Sequence, residues 1–388
     1  MFKIQTLDKI DPLGLNNFPA DQYQIAPDQA APDAIILRSY NMHNLELPES
    51  LKAVARAGAG VNNIPIDLCT EKGIVVFNTP GANANGVKEL VIAGLLLSSR
   101  HITSSVEWAK TLIGQGDQVP SLIEKGKKNF VGQEIQGKTL AVIGLGSIGV
   151  LVANAAHALG MKVMGYDPYI SVKQALKLSN NIRLAESLES LLACADYITL
   201  NIPLTPETKG YVNEEKLKLM KDGVRLLNFA RGELVNNADL AVAIESGKVH
   251  RYVTDFPDEY LLKLKNVIAI PHLGASTEES ETNCAIMAVD QVREYLENGN
   301  IINSVNFPHA EMERNGGRRI LIANKNVPNM VSQISSILAK EHVNIDNMLN
   351  KNKKEIAYNI IDVDKETLCD TVKERLLAIE GVFMVRIL

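Results

Sequence analysis

Thr139 to Asp167 reads TLAVIGLGSIGVLVANAAHALGMKVMGYD, and this stretch decides the fold. Thr139–Ile143 is a short apolar run with β-branched members, as a buried strand requires. Gly144, Gly146 and Gly149 then form G-x-G-x-x-G and open directly into a helical pattern. Ile148, Leu151, Val152, Ala155 and Leu159 make its expected apolar face. Gly160 ends that helix, and Lys162–Tyr166 reads as a second strand closing on Asp167. The first glycine permits a tight turn, the second lets a pyrophosphate approach the backbone, and the third lets helix pack on strand. The helix N-terminus offers unpaired N–H groups and a partial positive charge to phosphates. Asp167 lies 18 residues past the last glycine, where its carboxylate suits a ribose diol and repels a 2′-phosphate. A glycine-rich turn alone is weak. With strand before, helix after and acid behind, it points to a dinucleotide site for NAD rather than NADP.

At 388 residues the chain is long enough for two or three domains with cores of their own. Hydrophobic residues make up 46% and charged residues 22%, an ordinary balance for a soluble protein. A net charge of −5 with dispersed basic residues gives no nucleic-acid footprint. No apolar run reaches membrane-spanning length, and the N-terminal MFKIQTLDKIDP lacks a signal-peptide core. Cys69, Cys194, Cys284 and Cys369 are scattered without metal or redox spacing, so buried thiols in a reducing cytoplasm are expected, and no metal.

Residues 1–92 read as a small α/β unit. Asp33–Arg38 and Gly73–Phe77 are expected strands, and Leu51–Ala57 carries a short helical pattern. The loop NTPGANANG follows, rich in residues that tolerate turn conformations. Glu89–Ser99 is apolar nearly all round, hence buried within the protein or at a subunit interface. Residues 114–137 are polar, with Lys125, Lys127 and Lys128, and read as a solvated loop. From Thr139 to His272 strand and helix alternate, the pattern of a parallel, doubly wound sheet. Its later strands are Ile182–Leu184, Tyr197–Ile202, Arg225–Asn228, Arg251–Thr254 and Val267–Ile270. After them come Pro203 to Thr208, then Phe229-Ala230-Arg231-Gly232, then Asp255, then Pro271-His272-Leu273-Gly274. Ligands of open parallel sheets bind beyond the carboxyl ends of the strands, so these groups collect beside the glycine turn.

A long helical pattern over 276–298 leads back to the first unit and makes it discontinuous. Residues 304–318, with a proline, a Gly pair and charges, read as a linker. Residues 319–388 read as a separate βαββαβ module. Its expected strands are Arg319–Ala323, Asn344–Leu349, Glu355–Ile361 and Val382–Ile387, with helices over Pro328–Glu341 and Lys365–Ala378.

Two side chains in this set suit one reaction. Arg231 offers a planar, permanently charged fork that fits a carboxylate. His272 can trade a proton with a hydroxyl near neutral pH while a hydride moves to a nicotinamide, and an adjacent carboxylate would orient it. Singly, each is as well explained by a surface ion pair or a hydrogen-bonded histidine; grouped at strand ends beside a dinucleotide turn, they favour catalysis.

At these residues the chain resembles the D-isomer-specific 2-hydroxyacid dehydrogenases. Asn228-Phe-Ala-Arg-Gly-Glu-Leu-Val235 is similar to that family's arginine motif and Pro271-His-Leu-Gly-Ala-Ser-Thr277 to its histidine motif. Arg56-Ala-Gly-Ala-Gly-Val-Asn-Asn63 resembles the substrate loop, and Asn78-Thr-Pro-Gly81 the segment after it. The likeness runs from about residue 30 to 303. It implies two Rossmann-like domains, a discontinuous substrate domain (1–92 and 277–303) and an NAD domain (93–276), assembled as a homo-dimer or homo-tetramer. The implied NAD-binding residues are Gly144, Gly146, Ser147, Ile148, Gly149, Asp167, Pro203, Thr208, Ala230, Asp255 and Gly274. Arg231 is implied to hold the substrate carboxylate, aided by the backbone of Ala59 and Gly60, with His272 as acid/base. Glu259 is the implied carboxylate partner of His272, with Asp258 as rival.

Residues 319–388 resemble an ACT domain, with Asn326-Val-Pro328 early and Val343-Asn-Ile345 after the first helix. That combination resembles the branch of the family acting on 3-phosphoglycerate, whose phosphate needs further cations. Arg38, Ser39, Arg56 and Asn83 match positions that serve it. An L-serine effector is implied at Asn324, Asn326 and Asn344. The chain departs from the family pattern at Asn62, Lys88 and Tyr40, in the shortened segment after Asp255, and at Asn329, where glycine is usual. Two alternatives stay open: the same chemistry on hydroxypyruvate or glyoxylate, and an NAD-binding regulatory scaffold.

Overall fold

The computed structural model describes residues 1–364 and 370–388, which form two compact units: Met1–Asn83 with Glu281–Leu388, and Ala84–Ser280. The first unit opens with β1 (Phe2–Thr6), β2 (Tyr23–Ala26), β3 (Ala34–Leu37), β4 (Ala53–Arg56) and β5 (Val75–Phe77), all parallel in the order β2-β1-β3-β4-β5. Leu51–Ala57, expected to be helical, contains strand β4. Ala53, Val54 and Ala55 are fully buried there, and a strand covered on both faces shows no alternation to separate it from a helix.

The second unit holds β6 (Thr139–Ile143), β7 (Lys162–Tyr166), β8 (Arg183–Leu184), β9 (Tyr197–Leu200), β10 (Val224–Asn228), β11 (Val249–Thr254) and β12 (Val267–Ala269). All are parallel in the order β12-β11-β10-β9-β6-β7-β8. The winding reverses between β6 and β9, and the glycine turn leaves β6 at that switch point. The helix Ser147–Ala158 buries Gly149, Val150, Val152, Ala153 and Ala156, whereas Leu151 and Leu159 are exposed. Its apolar residues run nearly all round, so pattern alone could not choose the face. Gly149 chooses it, because a Cβ there would stand 1.9 Å from the Gly144 carbonyl oxygen.

In the helix Ala84–Ser99, Val91, Gly94, Leu95, Ser98 and Ser99 are buried but Leu96 is exposed. The 114–137 stretch is not a plain loop. It contains a helix, Val119–Gly126, between 3₁₀ turns at Gly116–Gln118 and Lys127–Phe130. Neither that helix nor its neighbour Ile102–Lys110 buries a residue.

The C-terminal strands β13 (Arg318–Lys325), β14 (Ile345–Lys353), β15 (Ile356–Val363) and β16 (Val382–Ile387) form an antiparallel sheet ordered β14-β15-β13-β16. With helices Met330–Lys340 and Asp370–Leu377 they give the βαββαβ order. The expected start of the second helix at Lys365, and Cys369, lie outside the described residues. Asn329 adopts φ 72°, the left-handed region that asparagine tolerates better than most residues.

One face of this sheet packs Ile320, Ile322 and Ile361 against Ile334, Leu338 and Leu376 of the helices. The other face does not end the module. Leu321, Ala323, Tyr358 and Ile360 share one core with Ile4, Phe77, Val292, Tyr295 and Phe307. Residues 304–318 are correspondingly anchored: Phe307 and Ala310 are buried, and Ile301 and Ala310 exchange backbone hydrogen bonds. Arg319, fully buried, spends all five of its N–H groups. It donates to Asp362 at 2.6 and 2.9 Å, and to the carbonyls of Asn298, Met312 and Glu313 at 2.9 to 3.0 Å. Tyr358 donates to the Gly299 carbonyl at 2.7 Å. Gly299 itself, at φ +74°, lets β13 approach: a Cβ would stand 2.4 Å from Leu321 Cδ2.

Candidate active site

The glycine turn fits a dinucleotide in each part. Gly144 sits at φ +90° with its missing Cβ only 2.5 Å from the Asn201 carbonyl oxygen, so β6 and β9 close on it. Gly146 faces open space, with nothing within 4 Å of an added Cβ, which is where a pyrophosphate needs room. No side chain caps the N-terminus of the helix Ser147–Ala158, leaving N–H groups for an anion. Asp167 accepts from Leu145 N at 2.8 Å and Tyr169 N at 2.9 Å. Those bonds fix the carboxylate at the end of β7 and leave lone pairs for a diol. Thr208 Oγ1 donates to the Pro203 carbonyl at 2.7 Å and accepts from Thr205 N at 2.7 Å, bracing the loop after β9. Ser147 Oγ accepts from Gln174 at 3.3 Å.

At the ends of β10, β11 and β12 the structure brings Arg231, Asp255 and His272 to the same edge. Buried Asn228 braces the first of these turns, donating to the Arg231 carbonyl at 2.8 Å and accepting from Ala230 N at 3.2 Å. The Arg231 side chain is exposed and donates to the Ala230 carbonyl at 2.7 Å. His272 Nδ1 lies 3.2 Å from Asp255 Oδ2, and the Phe256 ring stands 4.5 Å from the imidazole, at 53°. The Asp255 side chain is fully enclosed, and among the described residues neither of its oxygens has a hydrogen-bond partner. At Gly274 an added Cβ would lie 3.6 Å from the same carboxylate.

Glu259, the expected partner of His272, is elsewhere. It opens a short helix, Glu259–Leu262, and pairs with Lys263 at 2.6 Å, its side chain 86% exposed. Asp258 caps that helix through Leu261 N at 2.7 Å and accepts from Asn237 at 2.8 Å. The shortened segment after Asp255 turns straight into this helix, where Asp258 caps the first turn and Glu259 faces solvent beside Lys263. The carboxylate that faces His272 is Asp255, expected among the cofactor residues.

In the first unit, Asp8 Oδ2 accepts from three successive amides, those of Arg38, Ser39 and Tyr40, at 2.7 to 2.9 Å. Arg38 pairs with Glu281 at 2.5 Å. Arg56 donates to the Arg38 carbonyl at 2.8 Å and to the Gly60 carbonyl. Asn78 donates to the Ala59 carbonyl at 2.6 Å, and Asn83 is half-buried. Arg38, Ser39, Arg56, Ala59 and Gly60 are thus each held by a side-chain-to-backbone hydrogen bond. Asp8 and Glu281 had no sequence signal, since neither lies within a motif.

In the C-terminal sheet Asn324 is buried. Its amide donates to the Lys325 carbonyl at 2.7 Å and accepts from Asn359 at 2.8 Å, so it is spent inside the sheet rather than presented to an effector. Exposed Asn326 donates to the Lys354 carbonyl at 3.1 Å, and Asn344 N donates to Asp364 at 3.2 Å. Among the described residues no group of three or more ligating side chains could hold a metal, and no helix is long and apolar enough to cross a membrane. Cys69, Cys194 and Cys284 are free thiols, and burial pushes Cys69 up to about 11, which keeps it protonated.

Residues 93–274 match the family described as D-isomer specific 2-hydroxyacid dehydrogenase, NAD binding domain. A putative D-3-phosphoglycerate dehydrogenase of Schizosaccharomyces pombe is 30% identical over 406 residues, covering 93% of this chain and 82% of that protein. The chain belongs to the D-isomer-specific 2-hydroxyacid dehydrogenase family. A D-3-phosphoglycerate dehydrogenase of Methanocaldococcus jannaschii is 37% identical over 293 residues, 73% of this chain and 53% of that one. Against several such relatives the chain spans little more than half of their length. Among solved structures, an NAD⁺-bound 3-phosphoglycerate dehydrogenase of Entamoeba histolytica superposes with a TM-score of 0.61 at 27% identity, over 79% of this chain and 98% of that one. This family member therefore carries an NAD-binding domain, and both of its parallel sheets are typical of the family.

Proposed function

We propose that the protein is an NAD-dependent D-3-phosphoglycerate dehydrogenase, oxidising 3-phosphoglycerate to 3-phosphohydroxypyruvate in the first step of L-serine biosynthesis. The observation that carries this reading is His272 held 3.2 Å from the enclosed Asp255, with Arg231, at the strand ends beside the glycine turn. Bound NAD supplies the hydride acceptor. Arg231 takes the substrate carboxylate in its fork, for which its exposed guanidinium is free to leave the Ala230 carbonyl. His272 accepts the hydroxyl proton as C2 loses hydride, and Asp255 orients the imidazole and stabilises its charged form. Asp255 takes the positioning part assigned above to Glu259.

The phosphate draws on Arg38 and Arg56, with Ser39 and Asn83, and the backbone of Ala59 and Gly60 serves the substrate carboxylate. Relatives named for phosphoglycerate support this choice over hydroxypyruvate or glyoxylate. The C-terminal sheet is an ACT-type effector domain, with Asn326 and Asn344 as serine contacts. A homo-oligomer is supported by exposed Leu96, Ile102, Val106 and Ile113, on and beside two helices that bury nothing of their own. The deciding assay follows NADH formation with D-3-phosphoglycerate against unphosphorylated D-glycerate and D-lactate, repeated with NADP and with serine. Equal turnover of plain and phosphorylated acids would overturn the substrate assignment.

A further inference from the structure

A second site lies at the opposite, amino-terminal end of the seven-stranded sheet. Tyr197 on β9, Arg225 on β10 and Arg251 on β11 are in register, side by side across three parallel strands. Two arginines directly opposite each other repel, and neighbouring strands are only ~4.8 Å apart. Both guanidiniums are partly buried, which raises the cost of leaving them unbalanced.

Arg225 is partly accounted for. Its Nε donates to the Ser98 carbonyl at 3.0 Å, at the negative end of the helix Ala84–Ser99, and its guanidinium lies 5.3 Å over the Tyr197 ring. With its amide turned so that the oxygen faces Tyr197 and Arg225, Gln133 accepts from the two terminal nitrogens of Arg225 at 2.7 and 3.1 Å. Arg251 has far less: Nη2 donates to His101 Nδ1 at 2.7 Å, which requires that imidazole nitrogen to be unprotonated. Its other N–H groups have no partner among the described residues. His250, next to Arg251 on β11, is exposed beside the row. Asp196, whose charge favours that of Arg225, also accepts from Thr139 N at 2.8 Å and pairs with Lys221 at 2.9 Å, and does not act on Arg251. Burial and the neighbouring arginines hold both imidazoles below their ordinary range.

We propose that this row is a binding site for a doubly charged phosphoryl group, gripped by the free fork of Arg251 with Arg225 behind it and His101 and His250 at its edges. Three oxygens and two charges match two guanidiniums and two imidazoles, whereas a single carboxylate would leave half of the charge unbalanced. The site is separate from Arg231 and His272, which stand at the other end of the same strands, and it does not depend on the activity proposed above.

Inorganic phosphate is the probe, titrated calorimetrically at constant ionic strength into wild type, Arg251→Gln and the fold-conserving Arg251→Lys. Wild type should take up one phosphate per chain that Arg251→Gln binds at least tenfold more weakly, with Arg251→Lys between, since it keeps charge and loses the fork. In proton NMR, phosphate should move the His101 and His250 titrations upward in wild type. Equal isotherms in wild type and both variants would overturn the proposal. So would absence of a phosphate response combined with a fall in oligomer mass for Arg251→Gln by light scattering, because carboxylates of a second copy would then be the counter-ions.

Discussion

Two aspartates in this molecule are equally enclosed and differently kept. Asp362, on β15, receives Nε and Nη2 of Arg319 in a bidentate pair, and Arg319 spends its remaining donors on three carbonyls. Asp255, at the end of β11, has no hydrogen-bond partner among the described residues, and its neighbour is an imidazole on a mostly exposed side chain. A buried charge with every valence met is a structural fixture, and removing its partner is costly. A buried carboxylate whose one neighbour is an exposed imidazole is a local penalty for folding, and in the proposed reaction it is the group that supports that imidazole.

The largest expected effect falls on the unmet side. His272→Asn should lower kcat by about 10² to 10⁴, the usual share of a general base, while NADH binding by fluorescence stays near wild type. Retained turnover would remove Asp255 from any role in catalysis and break the contrast. Arg231→Lys should also lose most activity, because an ammonium cannot reproduce a bidentate grip.

On the satisfied side, Arg319→Met should destabilise by about 3–5 kcal/mol in denaturant unfolding, since Asp362 is left charged and alone. Adding Asp362→Leu should restore much of that loss, which separates a stranded charge from lost packing. If the single variant were as stable as wild type, the pair would not be a fixture.

Asp255→Asn should do the reverse. It removes an enclosed carboxylate that accepts no hydrogen bond among the described residues, so stability should hold or rise by about 1–3 kcal/mol, while kcat falls because the imidazolium loses its support. A fall in both would make Asp255 a structural residue like Asp362.

The smallest effect concerns an exposed pair. Glu281 holds Arg38, which the proposed substrate phosphate must claim. Such pairs are worth about 0–1 kcal/mol, so Glu281→Gln should lower KM for 3-phosphoglycerate by no more than about fivefold, with kcat unchanged. A raised KM would mean that Glu281 positions Arg38 rather than competing for it.

Sequence by itself determined the seven parallel strands of the NAD-binding unit, the glycine turn at their switch point and the order of groups at their ends. It also determined the βαββαβ order of the C-terminal strands and helices. Those features are local: period, glycine spacing and strand-end residues are written in consecutive positions. Burial on both faces erased the signal at β4, and an apolar helix gave no clue to its face until Gly149 met Gly144. Only tertiary structure decided that Asp255 rather than Glu259 meets His272, because the shortened segment curls into a helix whose carboxylates serve its own turn. Only tertiary structure joined the C-terminal sheet to the first unit's core, since alternation along β13 shows that both faces are apolar but not what covers the second. The Arg225–Arg251 row needed register between two strands 26 residues apart, and long-range register is not carried by any local pattern.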